Sequence, residues 1–223
     1  EAVEASGLLI LPNLSECVIE ALPFEDLSIR RDERSGGIDF GAYDATVILS
    51  SIYRGGVLYV TQVYRKVKGG ARDFVSGLAR RHSYACDPAE ALALNDLAAE
   101  RGRRGIECSL APAPGCDDVP AEWLEVARFV REGRLKIVRS AAAQILKEAS
   151  LLEWDAGKAD VKKNRDPQSI DGASGLSFGH FDALDGLRYN IRCILARDKG
   201  LSGTTARWSD DDLVDRRSGW RRS

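Results

Sequence analysis

Ala45-Thr46-Val47-Ile48-Leu49-Ser50-Ser51-Ile52-Tyr53, then Arg54-Gly55-Gly56, then Val57-Leu58-Tyr59-Val60-Thr61-Gln62-Val63-Tyr64 read as strand, turn and strand. Both runs are rich in β-branched and aromatic residues, and the Gly-Gly pair suits the positive φ of a tight hairpin. Upstream, Gly36-Gly37-Ile38-Asp39-Phe40-Gly41 starts the regular pattern, so the domain opens as an antiparallel meander. Downstream the period changes. A helix is expected from Phe74 to His82, a short buried strand over Ser83–Asp87, and a helix from Ala89 to about Arg101 that Pro88 starts well. A strand Ile106–Leu110, a Pro- and Gly-rich loop Ala111–Pro120, a helix Trp123–Arg131, a strand Leu135–Val138 and a helix Ala141–Leu152 follow. A meander followed by alternating helices and strands predicts an α/β fold, a mixed sheet covered by helices on its faces.

The last element is Gly179-His180-Phe181-Asp182-Ala183-Leu184-Asp185-Gly186-Leu187-Arg188-Tyr189, the start of a helix running to about Arg197. Phe181, Leu184, Leu187, Ile191 and Leu195 draw its apolar stripe. Asp182 and Asp185 stand three residues apart beside that stripe, on one helical face, and such a pair repels unless a cation or a shared proton relieves it. The plainer reading is a solvated pair at a helix N-terminus, where negative charge suits the dipole.

Residues 1–35 read as a mixed lead-in, with short strands at Gly7–Pro12 and Cys17–Glu20 and an exposed Ile29–Ser35. Trp154 to Phe178 is a long irregular connection carrying Lys158, Lys162, Lys163 and Arg165, and connections of this length usually serve a function or lack order. A polar tail follows Lys199. Thirty-two Lys and Arg against 34 Asp and Glu exclude a strongly basic binder but leave room for a basic groove on one face. No apolar run approaches a membrane span and no signal-peptide pattern opens the chain, so a soluble intracellular protein is expected. The absence of Met suggests a fragment or processed product. Five cysteines without a CxxC pair give no zinc or redox motif, and His82 and His180 are too few for a histidine site.

Three acids sit at informative places. Asp39 lies on the first strand among glycines, Asp87 at the C-terminal end of an inner strand, and Asp185, with Asp182, on the last helix. Open α/β sheets place chemistry at the C-terminal ends of their strands. Several carboxylates are needed to hold two ions about 3.5–4 Å apart, and oxygen-only ligands fit Mg²⁺ or Mn²⁺ rather than zinc. Each acid also has a plain reading: Asp39 a turn former, Asp87 a cap before Pro88, Asp182 and Asp185 solvated charges.

The ordered set Gly-Ile-Asp39-Phe-Gly, Tyr-Ala-Cys-Asp87-Pro-Ala-Glu and Asp182-Ala-Leu-Asp185-Gly-Leu-Arg188-Tyr189 resembles the nuclease domain of tailed-phage large terminase subunits. Gly133-Arg134-Leu135-Lys136-Ile137 and Lys147 to Asp155 resemble the segment before that family's last acidic helix. The resemblance implies a ribonuclease H-like mixed β-sheet flanked by helices on both faces over residues 36–197. Residues 1–35 would then be a linker from an absent ATPase domain and 198–223 a C-terminal tail. It implies two-metal cleavage of double-stranded, concatemeric viral DNA during packaging, with portal protein and small terminase subunit as partners. The setting would be the host cytoplasm, at the procapsid portal, with no membrane involved. Asp39, Asp87 and Asp185 match the family's metal-binding acids. Asp182 matches a position that varies between acid and histidine, and Gly186 stands where alanine is frequent. No GxxxxGK[ST] loop is present, so the chain is not the packaging motor.

A resolvase or transposase would use similar acids, but Arg188-Tyr189 and the Leu-Glu-Trp-Asp approach favour terminase. An actin-like fold, which Ile38-Asp39-Phe40-Gly41 followed by Thr46 also resembles, needs a second phosphate loop and more length. A non-catalytic binding module with solvated acids is the remaining alternative. Lys158, Lys162, Lys163 and Arg165 are the residues nominated for DNA phosphates.

Overall fold

A computed structural model describes residues 9–41, 45–115, 118–154 and 181–199, together with the backbone at 170–171 and 176–177. Among these residues one sheet has seven strands: β1 (Val18–Ile19), β2 (Arg34–Asp39), β3 (Ala45–Arg54), β4 (Val57–Val67), β5 (Ser83–Cys86), β6 (Ser109–Pro112) and β7 (Leu135–Val138). Their order across the sheet is β1-β7-β4-β3-β2-β5-β6. The hairpin is as expected: β3 and β4 pair antiparallel, and Gly55 and Gly56 turn with φ of 59° and 81°. β2 pairs antiparallel with β3 and parallel with β5, while β7 runs parallel to β4 and β1. The sheet is therefore mixed.

Five helices are described: α1 (Ala71–Phe74), α2 (Ala91–Arg103), α3 (Val119–Arg131), α4 (Arg139–Ala149) and α5 (Asp182–Asp198). Alternation along β3 divides the core. Val47 and Leu49 face a large cluster with Trp123, Val126 and Phe129 of α3, Ile145 of α4, and Leu184, Leu187 and Ile191 of α5. Ile48 faces the other way, into a smaller cluster with Ile38, Phe74, Tyr84 and Leu97, beneath α1 and α2. Both faces are covered, as the pattern requires.

Several boundaries differ from expectation for local reasons. The helix placed at Phe74–His82 is a single turn at α1 followed by a 3₁₀ turn, Val75–Gly77. A Cβ at Gly77 would stand 2.6 Å from the Tyr64 ring, so the chain leaves the helix where it packs against β4. The strand placed at Ile106–Leu110 begins three residues later. Ile106 N donates to Arg101 O at 3.1 Å, and Arg101 Nη1 donates to Cys108 O, so residues 106–108 fold over the end of α2. Ala111 and Pro112, read as loop, pair with Ala85 and Cys86. α3 starts four residues before Trp123, where the Asp118 carboxylate accepts from Ala121 N at 3.0 Å. α4 runs from Arg139 to Ala149 rather than from Ala141 to Leu152, and α5 begins at Asp182, three residues after Gly179.

In the lead-in, Val18–Ile19 is a strand as expected, but the run at Gly7–Pro12 is described only as a single bridge from Leu9 to Glu153. Ile10, Leu11, Leu14 and Cys17 join the large core cluster. Ile29–Ser35 is not uniformly exposed. Ile29, Glu33 and Ser35 are buried because β2 has begun by Arg34 and Glu33 accepts from Arg30 N at 2.8 Å. Within the connection expected to be irregular, Ile170–Asp171 (β8) and Leu176–Ser177 (β9) pair antiparallel. No helix among the described residues is long and apolar enough to cross a membrane.

Candidate active site

Three elements meet at one end of the sheet. β2 ends at Asp39, opposite Val47 of β3, and Ile38 is paired with Cys86 at the end of β5. Asp87 follows at once, its N–H donating to Ile38 O at 3.0 Å, so the two acids leave adjacent strands at the same C-terminal edge. α5 crosses β2 with backbone against backbone. A Cβ on Gly37 would collide with the carbonyl of Gly186, whereas one on Gly186 would lie 3.5 Å from Gly37 O, an ordinary contact. Two glycines thus bring the first turn of α5, with Asp182 and Asp185, over the end of β2.

The charges register this convergence. Burial pushes the Asp39 carboxyl well above the usual carboxylate range, and Asp185, Asp182 and Asp87, in that order, push it further, with Arg188 opposing them. Asp185, Asp182 and Asp87 thus each lie near enough to Asp39 for their charge to act on it. Asp182, read as solvated in the plain alternative, is 6% exposed. Asp87 also serves locally, its Oδ1 accepting from Ala89 N at 2.9 Å. Asp185 Oδ1 accepts from Arg188 Nε at 2.9 Å and from Nη2 at 2.7 Å. Among the described residues no three histidines, cysteines or acids are gathered closely enough to hold an ion between them. The donor set nonetheless suits a hard divalent cation in chemistry: it is oxygen-only, and the mutual repulsion of the acids is what such a charge relieves.

Two residues that support the site escaped the sequence reading. Glu148 of α4 accepts from Ala183 N at 3.2 Å and Leu184 N at 3.0 Å, capping α5 from another helix. Burial pushes its carboxyl up to about 8, against the donors Gln144, Leu184 N and Ala183 N, while Asp182 adds to the rise. Glu122 of α3 pairs with Arg188 and, at 2.9 Å, with Arg192. Both acids lie on apolar helical stripes, Glu122 with Val126 and Phe129, and Glu148 with Ala141 and Ile145. A charge on such a stripe was the available signal.

His82 is a buried structural residue, its Nδ1 3.0 Å from Arg80 O. His180, Lys158, Lys162, Lys163 and Arg165 lie outside the described residues. A cavity of about 300 Å³ opens at the far, N-terminal ends of β2, β5 and β6, lined by Ser35, Ser83, Ser109 and Asn190 among others, and none of the four acids lines it.

Solved structures with this architecture include large terminases of bacteriophages and their nuclease domains. The P22 large terminase nuclease domain superposes with a TM-score of 0.58 at 17% identity, over 81% of this chain and 89% of that one. The fold is that of large terminase nuclease domains. The large terminase of a thermophilic bacteriophage, solved in complex with ATP-γ-S, matches with a TM-score of 0.59 and 17% identity, over 84% of this chain and 46% of that one. The chain thus spans less than half of that terminase. The nuclease domain of the bacteriophage SPP1 large terminase, solved with bound Mn, matches with a TM-score of 0.50 and 17% identity, over 78% of this chain and 93% of that one. No family model matches the sequence, and no curated protein matches it.

Proposed function

We propose that this chain is a divalent-metal-dependent endonuclease that hydrolyses double-stranded, concatemeric viral DNA during genome packaging, the nuclease part of a large terminase subunit. The observation that carries the reading is the convergence of Asp185, Asp182 and Asp87 on Asp39 at the C-terminal edge of β2, on a terminase nuclease fold. Residues 36–197 would be the body of the nuclease domain and 198–223 a tail, while the lead-in from an ATPase domain, 1–35, joins that body through β1, the start of β2 and Ile10, Leu11, Leu14 and Cys17. Portal protein, small terminase subunit and a location at the procapsid portal in the host cytoplasm belong to the same reading.

Mg²⁺ or Mn²⁺, two ions when bound, would supply Lewis acidity at the scissile phosphate. Asp39, the acid whose charge Asp185, Asp182 and Asp87 all act on, would hold the metal together with Asp87 and Asp185. Asp182 has a supporting role. The chain's own contribution is rigidity: Gly37 against Gly186, and Glu148 on the α5 N-terminus, hold the carboxylates over the strand ends. Lys158, Lys162, Lys163 and Arg165 would meet the DNA backbone, giving binding that is indifferent to sequence and weakened by salt.

Nicking of supercoiled plasmid tests the proposal. Cutting should require Mg²⁺ or Mn²⁺, stop in EDTA, and vanish in Asp39→Asn and Asp185→Asn. Full activity in either purified variant would remove the assignment.

A further inference from the structure

Arg188 and Arg192 stand one helical turn apart on α5, and both turn toward Glu122 of α3. The three side chains are almost out of water, 7%, 12% and 4% exposed respectively. Arg188 gives Nη1 to Glu122 and both Nε and Nη2 to the same oxygen of Asp185. Its faces are taken as well, with the Tyr189 ring 4.7 Å and the Trp123 ring 5.5 Å from the guanidinium carbon. This arginine therefore links an acid of the site to a buried acid on another helix. Asp185 Oδ1 must give up at least one of these charge-assisted hydrogen bonds to ligate an ion, and an ion on Oδ2 would still meet the guanidinium's charge across the same carboxylate.

We propose that Arg188, anchored by Glu122, competes with the divalent cation for Asp185 and so sets the affinity at which the acids take up metal. The inference rests on the metal-nuclease reading above. Glu122 touches no reacting atom and is a positioning residue. Its negative charge offsets Arg188 from behind, so less of the arginine's attraction falls on Asp185. Arg192 shares Glu122 and keeps that offset partial. The two partners of one ion pair should then act on metal binding with opposite signs. Removing Arg188 frees Asp185 and deletes a positive charge beside the acids, which tightens binding. Neutralising Glu122 leaves Arg188 wholly to Asp185, which weakens it. A bridge that only holds the helices together would weaken binding in both variants.

Calorimetric titration of Mn²⁺ into the full chain measures this directly, with Asp39→Asn as the control for the acid site. Arg188→Gln should bind Mn²⁺ roughly tenfold more tightly than the unaltered protein, and Glu122→Gln several-fold more weakly. Arg188→Lys, which keeps the charge but cannot fork between two acids, should fall between Arg188→Gln and the unaltered chain and covers the case in which the Gln variant does not fold. Changes of the same sign in Arg188→Gln and Glu122→Gln, or no change in either, would overturn this inference while leaving the nuclease reading intact. An unaltered chain that binds no Mn²⁺, or binds it equally in Asp39→Asn, would overturn both.

Discussion

Gly37 on β2 lies in backbone contact with Gly186 on α5, and the contact is asymmetric: only Gly186 has room for a methyl group. That single crossing sets the height of α5 above the sheet, and hence the distance from Asp185 to Asp39. Gly37→Ala should be among the most damaging substitutions in the chain, costing about 3 kcal/mol or more, because the methyl group meets a carbonyl that cannot swing away. Gly186→Ala should be neutral or should stabilise by up to about 1 kcal/mol, since alanine is the better helix former. Thermal melting of the two variants checks the pair. Similar losses in both would mean that the helix and strand do not cross in this way.

Asp39→Asn should stabilise the protein in EDTA. The carboxyl is raised by burial and by three neighbouring acids, so its ionised form is disfavoured in the fold and costs stability at neutral pH. An amide of the same shape removes that cost. A gain of about 1–2 kcal/mol corresponds to roughly 2–8 °C in melting temperature for a chain of this size. A lower melting temperature would indicate that Asp39 is paired favourably rather than crowded.

Much of this was legible in the sequence. The hairpin from Ala45 to Tyr64 and the alternation after it dictated a mixed, two-sided sheet, and strand ends with acids marked the edge proposed as the site. Helix termini were less legible, since tertiary contacts decide them: Gly77 leaves its helix to pass Tyr64, and residues 106–108 bend back over α2 before β6 starts. Lead-in residues such as Leu14 carry no periodic signal in a single 3₁₀ turn, yet they enter the main core. The four acids were visible one by one, and only the resemblance implied their meeting, because spacing carries no sign of a glycine–glycine crossing between elements about 150 residues apart in the chain. Glu122 and Glu148 went unread as site residues, since a lone acid on an apolar stripe does not say which partners will meet it once the helices dock.

Stability should fall as pH rises through the range governed by Glu148. Burial first, and Asp182 in addition, raise its carboxyl to about 8, from the 4.5 of an ordinary glutamate. Between those values the folded protein holds the proton more tightly than the unfolded chain does. The contribution is therefore fully present below about pH 4.5 and is lost progressively toward pH 8, with a limiting slope of about 1.4 kcal/mol per pH unit. Glu148→Gln cannot titrate and should flatten this part of the melting-temperature profile in EDTA. It should also lose about 1–3 kcal/mol at low pH, because its amide cannot accept from both Ala183 N and Leu184 N. Parallel pH profiles for the two proteins would refute the assignment.

The cut ends should carry 5′ phosphates and 3′ hydroxyls, directly sealable by ligase. Tyr189 is an alternative nucleophile, one residue from Arg188 and close enough to Asp39 and Asp185 to feel their charge. Burial raises its phenol well above the ordinary tyrosine range, and the acids Asp39 and Asp185 raise it further, which makes phenolate attack on a phosphodiester unfavourable. The proposed hydrolysis takes water as its nucleophile. Its oxygen forms the new bond to phosphorus, the bond to the 3′ oxygen breaks, and that oxygen leaves as the hydroxyl after taking a proton. Tyr189→Phe should accordingly retain cutting, and no protein should stay attached to the DNA after denaturation. Ca²⁺ should occupy the acids without supporting the reaction, because its longer bonds and variable coordination hold water and phosphate too loosely for in-line attack. Incubating linearised product with ligase, with and without prior kinase or phosphatase treatment, decides the matter. Ends that seal only after such repair, or a covalent adduct lost in Tyr189→Phe, would exclude hydrolysis by water at this site.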